Sequence, residues 1–503
     1  GGNAESPCAR AILHQQVSPP VHEPLESVGE PSYDGSIIKF DEYGRSMPRD
    51  LAAMDLAAGH VSKALPEPVL SGWGRLPMPG RELLSEHLEQ ATVGAVLSRG
   101  LGRSYGDSSL PAHASDRVVA TRLANRILEF DEASGRMRAE AGVSLAELNR
   151  LFIPRGWFSP VTPGTKFVTL GGMVASDVHG KNHHREGCFG AHVQSLRVRL
   201  ADDSVVVCSP EQEPDLFYGT IGGMGLLGHI LEVTFTLQRI PTNWLVTQSV
   251  RVGNIDEFLA ELGTAAPAWP MTMGWIDCLN RGRGMGRGIL MAGRWATVEE
   301  ARAKPPRPAR EVVFPVELPN WALNATTARL FNMGYYWRHL AKRASGLTAP
   351  DPFFYPLDAI LHWNRAYGSR GFSQYQCVLP RAAGPTAVRE FMEHLTRLGG
   401  ASPLCVIKDC GPEGMGVLSF PMEGTSIAVD MPATPGLQAI VDRLNEFVIA
   451  AGGRIYLTKD RFTRPEHFRA MEPRLPRFLA LREKWDPGRR LRSAQSRRLF
   501  GDK

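Results

Sequence analysis

Apolar residues recur in two rhythms along this chain, and the rhythm changes with position. Between about residues 61 and 240 they fall in short β-branched runs: Arg117-Val-Val-Ala-Thr-Arg-Leu123, Arg136-Met-Arg-Ala-Glu140, Ser204-Val-Val-Val-Cys208 and His229-Ile-Leu-Glu-Val-Thr-Phe-Thr-Leu237. Runs of this length and composition predict strands. Among them, Ser144-Leu-Ala-Glu147 is a capping box opening a helix with Leu145, Leu148 and Phe152 on one face. Strands and helices mixed without strict alternation predict an α+β domain.

Farther along the spacing becomes helical. Ala387–Gly400 and Leu437–Gly453 are amphipathic helices, each stopped by a Gly-Gly pair. Each is followed by a strand-like run, Leu404-Cys-Val-Ile-Lys-Asp409 and Arg454-Ile-Tyr-Leu-Thr-Lys-Asp460. The repeat predicts one antiparallel-sheet-and-helix domain, with Lys408 and Lys459 at equivalent strand ends. Residues 280–350, rich in Gly, Arg and Pro, predict a mobile loop. Residues 1–60 carry five prolines within Pro7–Pro31 and no sustained period, which predicts a poorly ordered extension.

A length of 503 residues calls for two or more domains. A net charge of +5 is too small for a nucleic-acid protein, so no nucleic-acid partner is expected. Charge is concentrated, however: Arg281–Arg310 holds seven arginines and Lys304 against Glu299 and Glu300. That predicts a flexible basic lid able to meet phospholipid headgroups or a phosphate-bearing substrate. The Arg281–Gly288 run lacks the interleaved aromatics of an RNA-binding element. Seven scattered cysteines without a C-x-x-C pair argue against a disulfide framework or zinc site. No run of eighteen apolar residues and no signal-peptide core appear. Cytoplasmic placement is expected, with peripheral membrane contact and a cell-envelope location left open.

The chemistry concentrates in two glycine-rich segments, Ser98-Arg-Gly-Leu-Gly-Arg-Ser-Tyr-Gly-Asp107 and Pro163–His184. Dense glycines allow positive φ and bring bare N–H groups close to an anion, so two such loops could cradle a pyrophosphate and wall a flat cofactor. Gly223-Met-Gly-Leu-Leu-Gly228 matches a dinucleotide fingerprint but leads into a strand, so it reads as a tight turn near the cofactor. His179, His183 and His184 lack a completing carboxylate or cysteine set, and no metal is expected.

In one order along the chain stand R-G-L-G-R-S-Y-G-D, H-G-K-N-H-H (179–184), W-N-R-A-Y-G (363–368), Q-Y-Q (374–376), Val406–Pro412 and Y-x-x-K-D (456–460). Together these motifs resemble the flavoprotein oxidase subunits of decaprenylphosphoryl-β-D-ribose 2'-epimerases, within the vanillyl-alcohol-oxidase/aldonolactone-oxidase superfamily. The resemblance covers about residues 70–500. It implies a PCMH-type FAD domain at 61–243 completed by 454–503, and a substrate domain of antiparallel sheet and helices at 244–453. It implies oxidation of the 2'-hydroxyl of a polyprenyl-phosphoryl ribose to a ketone. An NAD-dependent short-chain reductase partner would then return the arabinose epimer for cell-wall arabinan.

By the same resemblance Lys459 is the essential residue near the hydroxyl, as base or as hydrogen-bond donor, with His179 and Tyr105 beside it. Lys181, Gln376, Lys408, Tyr355 and Arg365 would meet the substrate. Gly100, Leu101, Gly102, Arg103, Ser104, Tyr105, Gly164, Thr165, Thr169, Gly172, His179 and Tyr456 would hold FAD. Arg103 stands where many relatives carry a flavin-linking histidine, so non-covalent FAD is expected. Ala428 replaces a cysteine common beside the pocket, Ser426 an asparagine, and Phe354-Tyr355 a Tyr-His pair. Two other readings are a soluble alditol or aldonolactone oxidase using oxygen, and a non-catalytic protein that kept the fold.

Overall fold

Strand and helix periods of the kind just described assemble into three main sheets. The computed structural model describes residues 68–503 except 308–309 and 401–402. The expected extension at 1–60 lies outside the described residues.

A small parallel sheet comes first, with β3 (Arg117–Ala120) between β1 (Arg81–Leu84) and β2 (Leu97–Arg99). The first glycine segment leaves the end of β2 directly. Next come β4 (Ile127–Phe130), β5 (Arg136–Glu140), β6 (Val193–Arg199), β7 (Val205–Cys208) and β8 (His229–Thr236). They form an antiparallel sheet in the order β7-β6-β8-β5-β4. Helix α1 (Leu145–Phe152) starts at the Ser144–Glu147 capping box, with both reciprocal bonds formed, and α2 (Leu170–Ala175) follows it along the chain. Phe152 of α1 meets Phe130 with ring centroids 4.7 Å apart.

The third sheet has eight antiparallel strands: β9 (Leu245–Val252), β10 (Met271–Ile276), β11 (Gly288–Trp295), β12 (Arg343–Thr348), β13 (Phe372–Pro380), β14 (Cys405–Cys410), β15 (Gly424–Pro432) and β16 (Arg454–Ile455). Their order is β12-β9-β11-β10-β14-β15-β13-β16. Register assigns the side chains to faces, because successive residues of a strand alternate. Trp275 lies opposite Val406, Lys408 opposite Ser426, Ala428 opposite Gln376, and Asp430 opposite Gln374. All of these share one face. The helices of this domain are α3 (Ile255–Ala268), α4 (Ala325–Arg338), α5 (Gly384–Leu398) and α6 (Leu437–Ala450), with α4 on the first face. The other face carries Tyr375, which meets Phe391 of α5 and bonds Asn445 of α6. It also carries Gly274, where a Cβ would stand 2.1 Å from Phe258 of α3. Sheet, apolar lower face and helices make a closed core, and the upper face is left for polar chemistry.

Three expectations need correction. The 280–350 segment is not a mobile loop: it contains β11, α4 and β12. Its glycines and arginines masked the apolar run Gly288-Ile-Leu-Met-Ala292. Nor is Arg281–Gly288 a lid. It belongs to the ordered connection between β10 and β11, which holds a 3₁₀ turn at Gly282–Gly284 and has Arg287 ion-paired to Asp277 at 2.9 Å. The strand expected over 454–460 also ends at Ile455. Beyond it the Thr458 carbonyl accepts from the N–H of Tyr105 at 3.1 Å, and the chain turns away from the sheet.

Ser144→Ala removes one cap acceptor and the partner of Glu147, so a loss of about 1 kcal/mol is expected. The check is a lower denaturant midpoint with unchanged slope.

Candidate active site

Four segments converge beside the polar face of the eight-stranded sheet. Gly100 touches the second glycine segment so closely that a Cβ there would stand 2.4 Å from the Thr169 hydroxyl oxygen. Gly106 lies against the 456–461 turn, where a Cβ would come within 1.7 Å of the Asp460 carbonyl oxygen. The 222–228 turn joins through Gly222 N–H to the Val174 carbonyl and Met224 N–H to the Ala175 carbonyl, both 2.9 Å. Lys459, at the tip of the 456–461 turn, has its Nζ 3.9 Å from the centroid of the Tyr105 ring.

Into this corner the sheet projects Lys408, Gln376, Ser426, Gln374 and Asp430, all buried. Lys408 Nζ donates to His179 Nδ1 and to the Gly180 carbonyl. His179 Nε2 lies 3.2 Å from the Gln376 amide, and that amide donates to Ser426 Oγ. Asp430 accepts from Gln374 at 2.6 Å and from the Tyr367 hydroxyl at 3.2 Å. Tyr456 donates its hydroxyl to the Ser176 carbonyl and stacks on Phe420, which fixes one wall. Lys181 Nζ donates to the Phe354 carbonyl at 2.9 Å.

The electrostatics follow from crowding amines in a buried place. Burial, and then the neighbouring Lys408, bring Lys181 down to about 7. Burial likewise brings Lys459 to about 8, with Asp430 opposing the fall and Lys408 adding to it. Lys408 is lowered by burial. Burial and Lys408 hold His179 well below its usual value, so its imidazole is neutral. Asp430 is pushed up to about 7 by burial, against the pull of Gln374 and Lys459. A cluster so rich in nitrogen bases is suited to an anion.

The cradle tests well against a phosphate-bearing cofactor. Among the described residues the main-chain N–H groups of Gly100, Leu101, Gly102 and Ser104 find no acceptor. Gly102 sits at φ 63°, and Gly164 has nothing within 4 Å of where a Cβ would stand. The hydroxyls of Thr121 and Thr220 are buried with no partner among the described residues. Thr169 caps the helix Leu170–Ala175 by accepting from Gly172 N–H. Arg103 lies 4.0 Å above the Trp73 ring, and the Thr165 hydroxyl accepts from Phe167 N–H.

The cluster therefore gathers Lys459, Tyr105, His179, Lys408, Gln376 and Tyr456. Two residues expected to meet the substrate are engaged elsewhere. The Tyr355 hydroxyl is buried between Asn149 and Thr162. Arg365 donates to the Phe314 carbonyl at 3.1 Å. Sequence reasoning passed over Asp430, Gln374 and Tyr367. A period of two along Thr425–Asp430 would have found Asp430, since Ala428 was already placed beside the pocket.

Comparison with known proteins adds to this geometry. The model of an FAD binding domain matches residues 88–209. The chain is 34% identical over 453 residues to the "Decaprenylphosphoryl-beta-D-ribose oxidase" of Mycolicibacterium smegmatis, covering 86% of this chain and 97% of that protein. It is 34% identical over 375 residues to an "Uncharacterized protein in mprA 5'region" of Streptomyces coelicolor, 71% of this chain and 100% of that one. A shorter match, 29% over 140 residues, covers 28% of this chain and 24% of a "Putative D-arabinono-1,4-lactone oxidase" of Neurospora crassa.

Gly106→Ala drives a methyl into the Asp460 carbonyl, which is main chain and cannot step aside. Loss of bound flavin is expected, read as flavin absorbance per mole of folded protein.

Proposed function

The chain belongs to the family of decaprenylphosphoryl-β-D-ribose oxidases, and from that membership and the lysine corner we propose that it oxidises the 2'-hydroxyl of a polyprenyl-phosphoryl ribose to the 2'-ketone with FAD. The observation that carries the reading is Lys459 lying on Tyr105 at the seam of both glycine segments, with Lys408 and Lys181 close by. FAD would be held by Gly100–Ser104, Gly164, Thr165, Thr169 and Gly172, and what it supplies is a hydride acceptor.

The chain's own residues do the rest. A carbinol that gives up hydride must also release its hydroxyl proton. Lys459 takes that proton on Nζ, because burial has lowered its affinity to about 8 and leaves part of it neutral near pH 7. Asp430 and the Tyr105 ring hold the ammonium that results. Lys408 and Lys181 act as point charges for the phosphate, and neutral His179 is fixed between Lys408 and Gln376. This chain's departures from the family at Ala428 and Ser426 lie on this same face and shape the sugar pocket.

Residues 61–243 with 454–503 are assigned to flavin binding and 244–453 to substrate. In support, Arg498 bonds both Asp107 and Asp460, and Gln495 donates to the Leu457 carbonyl, which ties the C-terminal segment to the first glycine loop. A lipid-borne substrate implies peripheral contact with a membrane, since among the described residues no helix is long and apolar enough to cross one. The ketone product implies a partner reductase using a nicotinamide cofactor. The paired lysines favour a phosphorylated sugar over the free sugar of an alditol or lactone oxidase.

Lys459→Ala is expected to keep FAD and lose about 10²- to 10⁴-fold in the rate of flavin bleaching by a polyprenyl-phosphoryl ribose. Bleaching by free alditols instead would favour the sugar-oxidase reading. The wild-type rate should rise with pH through a midpoint near 8 and level off above it. In Asp430→Asn, which removes a carboxylate that raises the lysine's proton affinity, that limb should move to lower pH. A flat profile between about pH 6 and 9 would exclude Lys459 as base. With arginine at position 103, acid precipitation should release the flavin into the supernatant.

A further inference from the structure

Helix α4 is built inside out. Its buried positions are Ala328, Asn332 and Tyr336. Asn332 is fully buried and donates to Asp277 at 2.6 Å, and the Tyr336 hydroxyl donates to the Val252 carbonyl. The helix is thus anchored to the sheet by these polar contacts together with the packing of Tyr335 and Tyr336 on Trp275 and Ile289. Its outward side carries Leu330 and Phe331, each 57% exposed, with Met333 and Trp337 about half exposed. Trp321 before the helix is 76% exposed, and Leu340 after it is 81% exposed. An ordinary surface helix of a globular protein has the opposite polarity. An apolar ridge of this kind, with tryptophan at its edge, marks a surface that something covers.

Beside the ridge lies a cleft of about 350 Å³ lined by Arg281, Arg287 and Arg329 together with Asp277 and Met333. Asp277 is already compensated by Arg287 and Asn332. The cleft is therefore left with an excess of positive charge from Arg281 and Arg329. A ridge of leucine and aromatic side chains beside arginines is the arrangement of a protein lying in the interface of an anionic bilayer.

We propose that the outward face of α4 and its arginine cleft form the docking surface for an anionic phospholipid membrane. The cleft takes a lipid phosphate while the ridge enters the headgroup region. This rests on the reading of a lipid-borne substrate and names the surface that reaches it. The geometry agrees, because Trp275 of β10 meets Tyr335 of α4 with ring centroids 4.7 Å apart. Trp275 stands on the same face of the sheet as Lys408 and Asp430. A docked membrane therefore lies over the face that carries the reactive corner.

The test is cosedimentation of the full chain, loaded with FAD, with vesicles of phosphatidylcholine alone or containing phosphatidylglycerol. Binding is expected only to the anionic vesicles, weakened by salt. The double variant Leu330→Ser with Trp337→Ser should abolish it. Arg281→Ala and Arg329→Ala should each weaken it about fivefold, from roughly 1 kcal/mol per cation at a charged surface. Turnover of a short-chain prenylphosphoryl ribose in solution should be unchanged in all of these variants. Equal vesicle binding by wild type and the serine variant would overturn the proposal. So would a wild-type dimer that the serine variant dissociates, since a second copy would then be the occupant. If wild type binds vesicles but no variant or wild-type enzyme turns over the short-chain substrate, the activity reading fails and the docking surface stands.

Discussion

Everything at the candidate site depends on one seam of main chain. The loop after β2 and the turn after β16 come from opposite ends of the chain, and Gly106 lets them meet where any side chain would collide with the Asp460 carbonyl. Tyr105 N–H on the Thr458 carbonyl closes the seam. Arg498 clamps it from outside by bonding Asp107 on one strand of the seam and Asp460 on the other. The seam brings the Lys459 main chain beside Tyr105, and burial together with the ring contact then holds its Nζ there. In the proposed role of base, a side chain so confined loses little entropy when a substrate arrives.

Around that seam the protein accepts an electrostatic cost. Three lysines and a histidine are drawn into one buried corner where Asp430 is the neighbouring acid that most raises Lys459. Without an anion, the cheapest state is one in which several of these bases shed their protons, and the lowered affinities express that. In the proposed reading an incoming phosphate reverses the balance by favouring ammonium at Lys408 and Lys181. The charge that would bind the substrate thus couples to the protonation of the corner, while Asp430 opposes the fall in the proton affinity of Lys459.

Much of this was legible in the residues. The β5, β7 and β8 strands, the Ser144 capping box and the two Gly-Gly-stopped helices follow from local period and capping chemistry, and the structure has them. The glycine segments announced close backbone approaches, which Gly100 and Gly106 make. What failed was non-local. Thr458 looks like strand from its neighbours, but a donor three hundred and more residues away takes its carbonyl. Arginines 287 and 294 looked like a free basic surface until Asp277 and Glu300 were found beside them. Tyr355 was expected at the substrate, yet its hydroxyl is taken up by Asn149 from α1 and by Thr162. Local sequence reports which residues carry chemistry, and pairing decides which of them are free to use it.

On the proposed reading, the eight-stranded sheet lets one chain serve a lipid-borne substrate and a flavin at once. Alternation gives the sheet a lower face that is apolar and sealed by α3, α5 and α6, so stability is secured there. That leaves the upper face able to carry groups costly in a core: Lys408, Asp430 and the two glutamines of β13. Along the same face, toward β10 and β11, the covering helix is held by Asn332 and Tyr336 and so keeps its apolar residues outward. A substrate with a charged head and a long apolar tail needs both surfaces in one direction, and a single twisted sheet with period-two side chains supplies them side by side.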